Sequence, residues 1–163
     1  MSAARVREAT QADAEAIAAI YAESVDAGGS TLDTEAPLAS HFAAELADPK
    51  VHVVVAEREG TTVAAWGRAK PWSPKRGYAR TRELSTFVAQ AHRRRGLGRL
   101  VTAALIAEAE ASGAHHLVAR IFVDNEPSMA LYSSLGFELV GIQRQIGWRD
   151  GAWVDVALLQ RLC

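Results

Sequence analysis

Asn125-Glu126-Pro127-Ser128-Met129-Ala130-Leu131-Tyr132-Ser133-Ser134-Leu135-Gly136-Phe137 reads as a short capped helix released into a strand. Asn125 offers a side-chain oxygen to the free amides of the first turn. Pro127 fits that turn, where its missing N–H costs nothing. Ser128, Leu131, Tyr132 and Leu135 recur at helical spacing, and Gly136 lets the chain leave the helix toward Phe137. Taken alone, the pattern N-x-x-S-x-x-L-Y-x-x-x-G-F also fits a plain core helix in which Tyr132 is only packing.

Upstream lies Arg93-Arg94-Arg95-Gly96-Leu97-Gly98-Arg99, between a strand and the start of a helix. Glycines at 96 and 98 let backbone N–H groups approach a ligand closely. The helix N-terminus behind them supplies unsatisfied donors and a partial positive charge, and the arginines add counter-charge. Together they make an anion cradle suited to a pyrophosphate. No Gly-Lys-Ser/Thr follows, so this is not a nucleotide phosphate loop, and Val101 breaks the Gly-x-Gly-x-x-Gly of a dinucleotide fold. A basic strand-to-helix turn with glycines for geometry is the plainer alternative. A nucleic-acid patch lacks the interleaved aromatics it would need.

Outward from these segments the periodicity predicts further elements. Arg5-Val6-Arg7 is a first strand. A helix carrying Ile17, Ile20 and Tyr21 starts behind Thr10 and Asp13 and ends at Gly28-Gly29, and a second spans 38–46. A hairpin follows, 51–57 turning at Glu59-Gly60 into 62–66, then a loop over 71–77 and a strand over 83–88. The helix 98–111 places Leu100, Val101, Ala104, Leu105 and Ala109 on one side. A strand at 117–123, the helix 126–135, and strands at 138–142 and 153–159 complete the chain. The order β-α-α-β-β-β-α-β-α-β-β implies an α/β sandwich with a mixed sheet.

Composition bounds the function. The chain has 163 residues and 17.5 kDa, 49% of them hydrophobic, enough for one domain over 1–163 with a sizeable core. Eighteen basic against nineteen acidic side chains leave a formal charge of −1, which argues against a bulk nucleic-acid binder or a polybasic membrane protein. Cys163 is the single cysteine, so no intrachain disulfide and no cysteine metal cluster forms; no metal is expected. Met1-Ser2-Ala3-Ala4-Arg5 has no secretory apolar region, and no apolar run approaches the ~20 residues of a membrane span. The expectation is a soluble cytoplasmic protein.

The two motifs, in this order, resemble those of the GNAT acetyltransferase superfamily. The resemblance implies a three-layer α/β sandwich with a central mixed, mostly antiparallel sheet, and acetyl-CoA as co-substrate. Ile17-Ala18-Ala19-Ile20-Tyr21, Leu32-Asp33-Thr34-Glu35, Pro71-Trp72, Tyr78 with Thr81 and Glu83, and Trp148-Arg149-Asp150-Gly151-Ala152-Trp153-Val154-Asp155 resemble the phosphinothricin acetyltransferase branch. That branch includes enzymes of methionine sulfoximine and sulfone. The similarity runs from Val6 to Leu162.

The resemblance implies roles residue by residue. Thr86, Phe87 and Val88 contact the acetyl carbonyl and pantetheine through their backbone. Arg94, Arg95, Gly96, Leu97, Gly98 and Arg99 hold the pyrophosphate, and Asn125 contacts the pantetheine arm. Tyr132 stands near the thioester sulfur as a candidate acid for the leaving thiolate. A protonated amine must lose a proton before it attacks a thioester, so a base is needed, and Glu83 matches the branch's glutamate. A structural salt bridge is the alternative for Glu83. A polar strand end is the plainer reading of His115 and His116. The acceptor pocket would draw on Asp33, on Arg76, Gly77 and Tyr78 of the following loop, on Thr81, and on the 148–153 hairpin. Arg94 stands where the branch has glycine, Thr86 where valine is common, and Phe122 where an acid is common.

The function this implies is N-acetyl transfer to the primary amine of a small amino-acid-like acceptor by direct attack, in a homodimer. Acetylation of a protein N-terminus or lysine is the enzymatic alternative. A silent acyl-CoA-binding sensor is the alternative from another class.

Overall fold

A computed structural model describes residues 3–163; Met1 and Ser2, part of the expected 1–163 domain, lie outside it. The strands are β1 (Arg5–Glu8), β2 (His52–Arg58), β3 (Thr62–Pro71), β4 (Thr81–Val88), β5 (His116–Phe122), β6 (Glu138–Arg149) and β7 (Ala152–Leu162). The helices are α1 (Ala14–Ala27), α2 (Ala39–Ala47), α3 (Leu97–Ala111) and α4 (Glu126–Ser134). The strands form one sheet in the order β1-β2-β3-β4-β5-β7-β6. Every neighbouring pair is antiparallel except β4 and β5, so the sheet is mixed and mostly antiparallel, as the sequence implied.

Alternation along the strands sends side chains to two faces and so builds three layers. Val53, Val55 and Trp66 pack beneath Ile17 and Tyr21 of α1 and Phe42 of α2. Val54, Leu84, Leu117 and Ile121 face the other way, against Val101 and Leu105 of α3 and Tyr132 of α4. Thr10 and Asp13 form the capping box that their spacing predicts, with the Thr10 amide donating to Asp13 Oδ2 at 2.7 Å. Asp13 also receives Arg7 at 2.8 Å, which pairs in turn with Glu57. Among the described residues no helix is long and apolar enough to cross a membrane.

Two expectations need correction. Leu100 is exposed, and the buried stripe of α3 is Leu97, Val101, Thr102, Leu105, Ile106 and Ala109. Val101, Leu105 and Ala109 are common to both sets, and the stripe swings to Thr102 because its hydroxyl is satisfied inward by the Gly98 carbonyl. β6 does not end at Ile142 but continues to Arg149 through a bulge between Gln143 and Gly147. In that bulge Gln145 is left-handed and its amide donates to Asp155 Oδ1 at 2.7 Å. The run 143–149 carries one β-branched residue, so its strand character comes from pairing with β7 and not from local preference.

Candidate active site

β4 and β5 pair at only three positions, Thr81–His116, Arg82–Leu117 and Glu83–Val118. Beyond Glu83 the two strands separate, while β4 stays paired to β3 as far as Val88. The opening leaves backbone groups of β4 with no strand on one side, and a groove enters there from each face of the sheet.

One groove, about 740 Å³, runs along the N-terminus of α3. Thr86, Phe87, Val88, Arg94, Gly96, Leu97, Gly98, Arg99 and Asn125 all line it, together with Arg93, Asp124 and the end of α1. Arg95 does not line it. Gly96 is the N-cap of α3 at φ +76°, with no side-chain cap over the first turn, so the leading amides are open to an anion. Arg94 precedes it at φ +60°, a conformation that costs a residue with a Cβ about 1 kcal/mol. Gly98 has a packing task besides lining the groove. A Cβ there would stand 3.3 Å from Leu131 Cδ2 and 3.7 Å from Val88 Cγ2, so the glycine lets α4 and β4 close on α3. Arg99 ties α3 to Ser134 of α4 at 2.8 Å, and Asn125 Oδ1 caps α4 by accepting from the Ser128 amide.

Tyr132 comes up beneath this groove. Its ring is buried edge-on against Phe137, and its hydroxyl lies 3.2 Å from Thr86 Oγ1. Thr86 Oγ1 is 2.8 Å from Thr102 Oγ1, which donates to the Gly98 carbonyl at 2.8 Å. That last bond fixes the direction of the chain. Thr102 gives its only proton to Gly98, so it accepts from Thr86, and Thr86 accepts from Tyr132. Burial pushes the Tyr132 phenol up to about 12.

The second cavity, about 300 Å³, opens on the other face of β4 and shares Ser30 and Phe87 with the first. Arg68, Lys70, Glu83, Ser85, Phe87 and Arg120 form its floor, with Tyr21 and the 30–33 loop above. Glu83 is buried and held on two sides. Arg120 Nε reaches Oε2 at 2.5 Å and Nη2 reaches Oε1 at 3.1 Å, while Lys70 Nζ lies 3.9 Å from Oε1. Asp33 accepts from the Tyr21 hydroxyl, and burial together with that carboxylate pushes the Tyr21 phenol up to about 12. Arg149 pins the same loop by donating to the carbonyls of Thr31, Asp33 and Val25. Leu32 packs onto Gly147, where any Cβ would collide with it.

The other residues expected at the acceptor pocket lie elsewhere in the protomer. Arg76 and Gly77 sit in an exposed 3-10 turn. Tyr78 and Thr81 line a separate apolar depression with Trp72, His116 and Val140. Neither His115 nor His116 lines the cavity that holds Glu83.

The acetyltransferase (GNAT) family profile matches residues 15–137. The chain belongs to that family. Over its length this GNAT chain is similar to the phosphinothricin N-acetyltransferase of Streptomyces viridochromogenes, 32% identical over 96% of this chain and 86% of that one. It is also similar to the L-methionine sulfoximine/L-methionine sulfone acetyltransferase of Salmonella typhimurium, 33% identical over 95% and 92%. Among solved structures, the Sinorhizobium meliloti phosphinothricin acetyltransferase in complex with acetyl-CoA superposes with a TM-score of 0.93, at 30% identity over 98% and 88%.

Within this GNAT fold, sequence reasoning missed Tyr21, Arg68, Lys70, Ser85 and Arg120. A signal was present for three of them. Arg68, Lys70 and Arg120 are charges inside strands whose neighbours are apolar, and parity puts them on the face of Glu83.

Proposed function

We propose that this protein transfers the acetyl group of acetyl-CoA to the primary amine of a small amino-acid-like acceptor, of the phosphinothricin, methionine sulfoximine or methionine sulfone type, by direct attack. The observation that carries the reading is the opening between β4 and β5, where a groove with an uncapped helix N-terminus meets a cavity containing a buried carboxylate. Acetyl-CoA supplies the acetyl group as a thioester. The amides at the start of α3, with Arg94 and Arg99, take the pyrophosphate, and Arg95 contributes charge from outside the groove. Thr86, Phe87 and Val88 offer backbone groups to the pantetheine arm, with Asn125 at its side. Glu83, held between Arg120 and Lys70, draws the acceptor ammonium and accepts its proton directly or through one water. Tyr132 stands on the opposite face, where its hydroxyl, which rests on Thr86, would turn to protonate the departing thiolate.

The test is acetyl-CoA-dependent thiol release with phosphinothricin, methionine sulfoximine, methionine sulfone and a peptide with a free N-terminus. Glu83→Gln is expected to lower turnover by roughly 10²–10⁴-fold while acetyl-CoA affinity is kept. Parental turnover in that variant rules Glu83 out as the base. Acetyl-CoA binding with no amine turned over returns the sensor reading, and turnover of the peptide alone returns the protein-acetylating one.

A homodimer in the cytoplasm belongs to the same proposal. Val140, Ile142, Ile146, Trp148 and Trp153 are exposed on the hairpin of β6 and β7, more apolar surface than a solvated edge carries by chance. A second copy would cover it and bring another Arg76–Tyr78 turn into play. Light scattering at the monomer mass argues against this.

A further inference from the structure

We propose that Arg120 is the receptor for the acceptor's carboxylate, so that this enzyme takes free α-amino acids and rejects amines that lack that group. The inference deepens the acetyl-transfer reading above and rests on it. Arg120 is the one charge in the interior of β5, among Leu117, Val118, Ala119, Ile121 and Phe122, all of them buried. Its own side chain is 52% exposed, and it faces the cavity beside Glu83. The guanidinium lies over the Trp72 ring, 5.7 Å from its centroid, which holds the plane in place.

A guanidinium has two edges that fit a carboxylate, and five N–H donors in all. Glu83 occupies the edge made by Nε and Nη2 and uses two donors. The edge made by Nη1 and Nη2 has no partner among the described residues, and it belongs to a half-exposed side chain at the cavity. The other charged groups there are engaged. Arg68 donates to Glu45 at 2.6 and 2.8 Å, and Asp33 receives Tyr21. Lys70, 3.9 Å from Glu83, is the second cation at hand.

In an α-amino acid a single carbon separates amine from carboxylate. A carboxylate on the outer edge of Arg120 therefore brings the amine beside Glu83, which grips the inner edge of the same guanidinium. A peptide N-terminus presents an amide where the carboxylate should be, and a lysine side chain places its amine four methylenes from the backbone. Neither can satisfy both ends at once.

The experiment compares methionine sulfone with its α-carboxamide and with the decarboxylated amine of the same side chain, in the parent and in Arg120→Met and Arg120→Lys. The parent is expected to favour the acid over the amide by about 100-fold in kcat/KM, the scale of a charge-assisted pair. Arg120→Met should bring that ratio close to one, and Arg120→Lys should restore part of it. Any loss of basicity at Glu83 lowers all three acceptors together and leaves the ratio alone. A parental ratio near one, or a ratio unchanged in Arg120→Met, overturns the assignment of Arg120 while leaving acetyl transfer standing. A parent that turns over none of the three overturns both.

Discussion

Replacing Thr86 by valine tests the hydroxyl chain beneath the groove. The substitution keeps the β-branched shape that β4 requires and removes one oxygen. That oxygen accepts from Tyr132 at 3.2 Å and donates to Thr102 at 2.8 Å. Thr102 keeps its bond to Gly98, so its loss is small. Tyr132 is buried and would keep a hydroxyl with no partner, at a cost of about 1–3 kcal/mol. The new methyl group offsets about 0.8 kcal/mol by its burial. The net loss is about 0.2–2.2 kcal/mol, which at about 2–4 °C per kcal/mol lowers the melting temperature by roughly 0.4–9 °C. Scanning calorimetry reads this directly, with Thr86→Ser as the control that keeps the oxygen. Turnover should fall as well, with acetyl-CoA affinity kept, because Tyr132 loses the bond that holds its oxygen in place beneath the groove. The reasoning fails if Thr86→Val melts no lower than the parent, or if Thr86→Ser is no closer to the parent than Thr86→Val.

Three further outcomes follow from the geometry. In Gly147→Ala the added Cβ would lie 2.7 Å from Leu32 Cδ1; Leu32 must leave the roof of the acceptor cavity, so acceptor KM should change several-fold in steady-state kinetics while acetyl-CoA affinity holds. Arg94→Gly should relieve the left-handed backbone and raise stability by about 1 kcal/mol in urea unfolding, yet weaken acetyl-CoA binding measured by calorimetry because one cation is gone. Asp13 is held below its ordinary value by the Arg7 guanidinium first, with the Thr10 amide helping. Its folded value is depressed, so its contribution is complete above about pH 4 and is lost as pH falls further; Asp13→Asn should flatten that acid limb of the stability curve, and equal limbs in the two proteins would contradict it.

The fold was largely legible because each helix carries its own boundary signals. Thr10 and Asp13, Asn125 and Pro127, and Gly136 act within a few residues of chain, where local chemistry decides. The site was legible only where a motif spans one element, as in the loop from Arg93 to Arg99. Arg120 went unread because 117–123 shows an apolar run, and a run does not say which strand will stand beside it. Glu83 could be named from the sequence, but its two cationic partners come from β3 and β5, 13 and 37 residues away, and only the sheet brings them together. Gly98 lines the groove, but its closeness to Leu131 of α4 could not be read, because that contact joins two separate helices.

β7 lies between β5 and β6, although both are synthesised before it. Neither of those strands has the other as a neighbour, so while the chain emerges each presents an open edge. The eleven residues of β7 pair on both sides, setting the register of β5 along seven positions and of β6 along eight. Phe122 meets Val156 in that register, at the rim of the acceptor cavity. That wall of the cavity therefore depends on the pairing of β5 with β7. A substitution that weakens the β5–β7 ladder would loosen this wall while leaving the loop at the N-terminus of α3, which takes no part in that pairing, as it is.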